Sequence, residues 1–239
     1  MNDERAVRVA IAFAAASSQT PHESMCNTCL GLLQVSGVGI TLMSGTNSGP
    51  VCSTDDRVAA LEELQFTIGE GPGLDAHRGG VAISEPRLER SGGERWPTFS
   101  PLALGHGTKG VFSFPLASGR ARIGVLTLYQ NESGALTAEQ SADSVAVSTY
   151  VTELLLSLQS ASRSATLTDT LTDLDAHRAE VHQASGMIAV QLGVSVADAL
   201  LRLRAHAYAT NRRSADVARD VVERRLRLPD DTAPLDRKE

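Results

Sequence analysis

The sequence predicts an α+β fold: a domain with a central antiparallel sheet flanked by helices, then a coiled-coil helix, then an all-α three-helix unit. Three observations predict it. Helical apolar spacing precedes residue 36. Strand-like runs alternate with helical segments between residues 37 and 129 and end in two strong strands, Gly110–Leu116 and Ile123–Tyr129. Beyond about Ala138 nothing reads as strand.

The elements follow in order. Val7, Ala10, Ile11 and Ala14 fall at i, i+3, i+4 and i+7, which predicts a helix over 4–17 with that face inward. Pro21 interrupts, and a second helix runs from about His22 to Val35. Gly37–Met43 reads as a buried strand, Gly45–Gly49 as a turn and Val51–Thr54 as a short strand. Arg57–Phe66 is helical with Leu61 and Leu64 inward, and Gly69-Glu70-Gly71-Pro72-Gly73 reads as a rigid turn. Val81–Ser84 is a strand, and Pro97 suits the first turn of a helix over Trp96–Leu104. The loop Ala117–Arg122, with Gly119, joins the two strong strands as a hairpin. Thr137 and Gln140 have capping-box form and open a long helix.

Within that helix Val147, Val151, Leu154 and Leu158 alternate steps of four and three, a short heptad seam that predicts a dimer interface. The rhythm shifts and resumes at Leu167, Leu171, Leu174, Arg178 and Val181, so a kink is expected at about 162–168. Val181, Ala184, Ser185, Ile188 and Leu192 then form an apolar stripe, and Val196, Ala199, Leu200, Leu203 and Ala207 repeat its offsets. Gly193 ends the first of these helices, Ser195 with Asp198 caps the second, and Ser214 caps a third that faces inward through Val217, Ala218, Val221 and Val222. The polar composition of 229–239 predicts a disordered tail. Domain boundaries are expected at 1–160, 161–228 and 229–239.

With 239 residues, 42% hydrophobic and 21% charged, the chain is an ordinary globular one, not a disordered one. It has no apolar run of about 18 residues, which excludes a membrane-spanning helix, and no secretory pattern at its N-terminus. Three cysteines and no export signal lead to an expected reducing cytoplasm without a disulfide framework. The net charge of −6 is uneven: nine Arg against five acids between Arg178 and Leu228 give +4 there and leave −10 for the rest. An acidic body with a basic tail fits an anionic partner, and equally a helical tail laced with Arg–Glu surface pairs.

No catalytic constellation is legible. The six histidines show no HExxH spacing and no cluster with Cys, and there is no GxSxG or P-loop. No enzyme activity, cofactor or metal is expected. Gly69-x-Gly71-x-Gly73 follows a helix instead of a strand, so it is not a phosphate cradle. Cys26 and Cys29 form a CxxC with no second pair for zinc, which leaves packed thiols or a redox pair; Cys52 packs on its strand. In the tail, Arg204 and Tyr208 lie one helical turn apart, and Asn211-Arg212-Arg213 follows in the next loop. Two guanidiniums and an amide beside a Tyr ring suit phosphates and unstacked RNA bases.

These stretches resemble two known families. Leu64–Ala76, Arg95-Trp96-Pro97 and the two strong strands resemble a GAF domain of actinobacterial type. Many of its members carry Cys where this chain has Gly73. Ala184–Ile188, Asp198-Ala199, Leu203–Ala207 and Asn211–Arg213 leading into Asp216-Val217-Ala218 resemble an ANTAR domain. That family usually has Lys where this chain has Ser185. The resemblance implies a homodimeric transcription antiterminator whose ANTAR domains bind RNA stem-loops of a nascent transcript and prevent a terminator from forming. It implies a GAF domain that senses a signal, with a small molecule among the candidate ligands. It assigns Arg204, Tyr208, Asn211, Arg212 and Arg213 to RNA contact. The rival expectation is a small-molecule or redox sensor whose tail dimerises or docks a protein without RNA.

Overall fold

The computed structural model describes residues 2–16, 21–44, 47–164, 172–210, 212 and 214–229. It divides into two compact units, Met1–Leu174 and Asp175–Glu239.

In the first unit, five antiparallel strands lie in the order β2-β1-β5-β4-β3. They are β1 (Gly37–Ser44), β2 (Asn47–Ser53), β3 (Ile83–Glu85), β4 (Gly110–Ser118) and β5 (Ala121–Gln130). Side chains alternate across the pleat, so each strand serves two faces. Val38, Ile40 and Leu42 of β1, Phe112, Phe114 and Leu116 of β4, and Leu126 and Leu128 of β5 join one core with α1 (Asn2–Ala15), α2 (Pro21–Leu33) and α7 (Ala138–Ser164). Val111, Val125 and Tyr129 join a second core with α3 (Asp56–Ile68), α4 (Pro72–Gly79) and α6 (Phe99–Gly105). Burial on both faces explains why β5 reads as a continuous apolar run.

Local chemistry sets several boundaries. Asp55 accepts from the Val58 N–H at 2.7 Å and caps α3. Thr137 and Gln140 exchange both capping-box bonds, at 3.0 and 3.1 Å, at the start of α7. Between β3 and α6 a π-helical turn (Leu88–Gly92) runs into the one-turn helix α5 (Gly93–Arg95).

Four expectations are corrected here. The inward face of α1 is Val9 and Phe13, while Val7 and Ile11 are exposed, because Arg5 and Arg8 turn to pair with Asp143 on α7. Residues 47–49 belong to β2, where Gly49 pairs with Leu42. The turn at Gly69–Gly73 passes into helix α4, because Pro72 occupies its first turn. Cys26 and Cys52 form a disulfide with Cα atoms 5.9 Å apart, tying α2 to edge strand β2. Sequence separation concealed it: the fold, not the CxxC spacing, chooses the partner of Cys26. Cys29 remains a buried thiol, pushed up to about 12 by desolvation.

The seam is also corrected. Val147 and Val151 are fully buried against their own sheet and helices, so they form no interface between copies. Leu154 and Leu158 are half-buried. The expected kink at 162–168 falls largely outside the described residues, as do Leu167 and Leu171 of the second rhythm and most of the expected tail.

Candidate nucleic-acid interface

The second unit is built on α8 (Thr172–Leu192), α9 (Val196–Ala209) and α10 (Ser214–Val222). Gly193 ends α8 at φ +64°, a left-handed conformation that L side chains resist. Ser195 donates to Asp198 at 2.6 Å and accepts from its N–H at 3.0 Å, which starts α9. Ala184, Ile188, Ala199, Leu203, Ala207, Val217, Ala218 and Val221 form the core, so both stripes and the third helix pack as their spacing requires. Val196 departs from the stripe and is exposed.

The core fixes the position of the candidate contacts. Arg204 sits half-buried on α9, between the fully buried Leu203 and Ala207. Tyr208 lies in the last turn of α9, and its side chain is outside the described residues. Asn211 and Arg213 also lie outside them. Arg212 is exposed just past α9, and its N–H donates to the Ala207 carbonyl at 2.9 Å. Its guanidinium donates to Asp220 at 2.6 Å and to the Asp216 carbonyl at 3.4 Å. That bond, followed by one from Arg225, holds the Asp220 carboxyl below the usual carboxylate range. Arg219 pairs with Glu180 at 3.3 Å, and Arg225 pairs with Asp220 and Glu223. Part of the basic tail is therefore an acid–base surface lattice. Among the described residues, Arg224 and Arg227 make no ion pair. The arginine count included both, but helical periodicity could not single them out, because they follow α10.

Ser185 faces the core and donates to the Val181 carbonyl at 2.7 Å. The hydroxyl that replaces the resembled family's Lys is thus buried and satisfied.

Residues 169–222 match the family model of the ANTAR domain. The chain carries an ANTAR domain. ANTAR domains are RNA-binding antitermination modules, and the match spans all three helices of the second unit. Among solved structures, the chain is similar to the GAF domain of an Acinetobacter phosphoenolpyruvate-protein phosphotransferase, at TM-score 0.51 and 13% identity, over 68% of this chain and 98% of that one. It is also similar to the GAF domain of the corresponding Coxiella burnetii protein, at TM-score 0.49 and 11% identity, over 66% and 98%. The Acinetobacter likeness shows the fold of the unit that precedes the ANTAR domain: it is a GAF fold. No curated protein matches the chain.

Inside the GAF fold a polar network lies between the sheet and α3. Thr41 donates to Glu62 Oε2 at 2.5 Å, and the Tyr129 hydroxyl donates to Oε1 at 2.6 Å. Gln65 donates to Tyr129 at 3.0 Å and accepts from the Gly73 N–H at 2.8 Å. Burial pushes the Glu62 carboxyl up, opposed by its hydroxyl donors. Gly39 is required here, since a Cβ would lie 2.6 Å from Glu62. The stretch from Gly69 to Asp75 is a set of clamps. Glu70 accepts from the Phe99 N–H at 2.6 Å, and Asp75 accepts from Trp96 Nε1 at 3.1 Å. Among the described residues, no group of three or more His, Cys, Asp and Glu could hold a metal ion, and no helix is long and apolar enough to cross a membrane.

Proposed function

We propose that the chain is a signal-responsive transcription antiterminator acting in the cytoplasm as a homodimer. Its ANTAR domains bind stem-loops of a nascent RNA and prevent a terminator hairpin from forming, while the GAF fold receives the signal. The chain works by binding, not by catalysis. The observation that carries this reading is the ANTAR match over three helices whose packed core holds Arg204 half-buried on α9 and Arg212 exposed just past its end. Phosphate contacts supply most of such affinity and make it salt-dependent, while unpaired loop bases supply the choice of target.

The test is binding of the full chain to tandem stem-loop RNA at two salt concentrations. Arg212→Ala removes one guanidinium and should lower the log–log salt slope by about 0.7–0.9. The melting temperature should hardly change, because the Asp220 pair it breaks is a surface one. A chain with no salt-sensitive RNA affinity would sink the antiterminator reading.

A redox signal has one specific observation in its favour, the Cys26–Cys52 disulfide in the core beneath α7. RNA affinity that differs between the oxidised and reduced wild type, but not in Cys52→Ser, would identify that signal.

A further inference from the structure

The ANTAR domain holds a groove of about 860 Å³ between α8 and the segment that follows α10. Its apolar lining is Gly186, Met187 and Val190 of α8, with Val221 of α10 and Leu226. Val190 is 86% exposed, the most exposed large apolar side chain described. Arg224 and Arg227 line the same groove, and among the described residues no acid does.

The segment carrying those arginines is held in place. Leu228 is buried in the domain core, and its carbonyl accepts from Gln191 of α8 at 2.8 Å. Arg224 itself stands at φ +60°, where glycine is the easier residue. The helix end is closed around it, with the Arg225 and Leu226 N–H groups both donating to the Asp220 carbonyl, at 2.7 and 3.0 Å. A cation is therefore kept at a backbone position that disfavours any side chain. Both arginines lie beyond residue 222, where the ANTAR match ends.

We propose that this groove is a second RNA contact of the ANTAR domain, taking one unpaired nucleotide. The base lies against Met187 and Val190, and the flanking phosphates meet Arg224 and Arg227. The occupant follows from charge and shape. Two guanidiniums, with no acid among the described lining residues, select a polyanion, and the apolar side chains beside them suit the face of a base. The Gln183 amide, which also lines the groove, can read a base edge. The inference rests on the RNA-binding reading above and adds a contact apart from Arg204 and Arg212.

The test uses the full chain and a pool of tandem stem-loop RNAs with randomised loops. One variant is Arg224→Asn with Arg227→Gln, since Asn tolerates the left-handed conformation. The other is the pair Val190→Glu and Val190→Lys, which leaves the core untouched. The double variant should bind at least about tenfold more weakly and lower the log–log salt slope by about 1.4–1.8. Val190→Glu should weaken binding and Val190→Lys strengthen it, with unchanged melting temperatures. Wild-type affinity in the double variant and in Val190→Glu would overturn the groove and leave the RNA reading standing. No salt-sensitive binding by the wild type would overturn both. A Val190→Glu variant with altered sedimentation and normal RNA affinity would make the groove a contact between copies, and would overturn the proposal.

Discussion

Glu62 shows at the residue scale how a sequence conceals chemistry. In the sequence it is one of two adjacent acids in a helix, ordinarily a solvated pair. In the fold it is buried, because Gly39 leaves the space and Thr41 and Tyr129 supply hydroxyl donors. Its folded pKa is raised, so the stability it contributes is fully present below the unfolded value of about 4.3. That contribution falls as pH rises through the folded value. Glu62→Gln keeps the volume and removes the titration. The variant should therefore show a flatter dependence of melting temperature on pH above about 4.3 than the wild type. Parallel profiles would mean that Glu62 is not the titrating group.

At the element scale, α2 and α7 carry the strongest expectations. The disulfide closes a loop across 26 residues of sequence separation, and the chain-entropy estimate for such a loop is about 3.5 kcal/mol. Cys52→Ser, or a reductant added to the wild type, should lower the denaturant midpoint accordingly, and Cys29→Ser should not reproduce the reductant effect. A reductant-insensitive wild type would show the thiols unpaired in solution. On α7, one periodic pattern serves two ends. Val147 and Val151 pack on their own sheet, so Val151→Ala should cost about 2 kcal/mol of stability in the monomer itself. Leu154 and Leu158 keep exposed surface, so Leu154→Glu with Leu158→Glu tests association between copies. The double variant should sediment as a monomer if α7 joins the dimer, and denaturation with no change in mass would refute that role.

At the scale of the whole molecule, two units have separate cores. The sheet of the GAF fold divides one unit into two apolar layers, and α8, α9 and α10 enclose a third core in the ANTAR domain. Calorimetry should therefore resolve two transitions. Leu203→Ala, at a fully buried position, should lower only one of them, by a destabilisation of about 2–5 kcal/mol. Val151→Ala should lower only the other. A single transition displaced by either variant would show that the units unfold together.

The sequence alone determined the two opening helices, the paired strands β4 and β5, the capping of α7 and α9, and the three-helix character of the tail. Each of these is written in local terms: a period, a cap, or a turn residue within a few positions. It also marked the stretch around Arg204 and Arg212 as basic. Only the tertiary structure decided which faces meet and which charges are already paired. It joined Cys26 to Cys52, not Cys29, used Val147 and Val151 within the chain, and buried Glu62. It tied Arg212 and Arg225 to Asp220 while gathering Arg224 and Arg227 at a groove with Met187 and Val190. The physical reason is common to these cases. Periodicity reports that a side chain has a buried face, but the identity of its neighbour depends on contacts between residues far apart in sequence, which only closure of the fold creates.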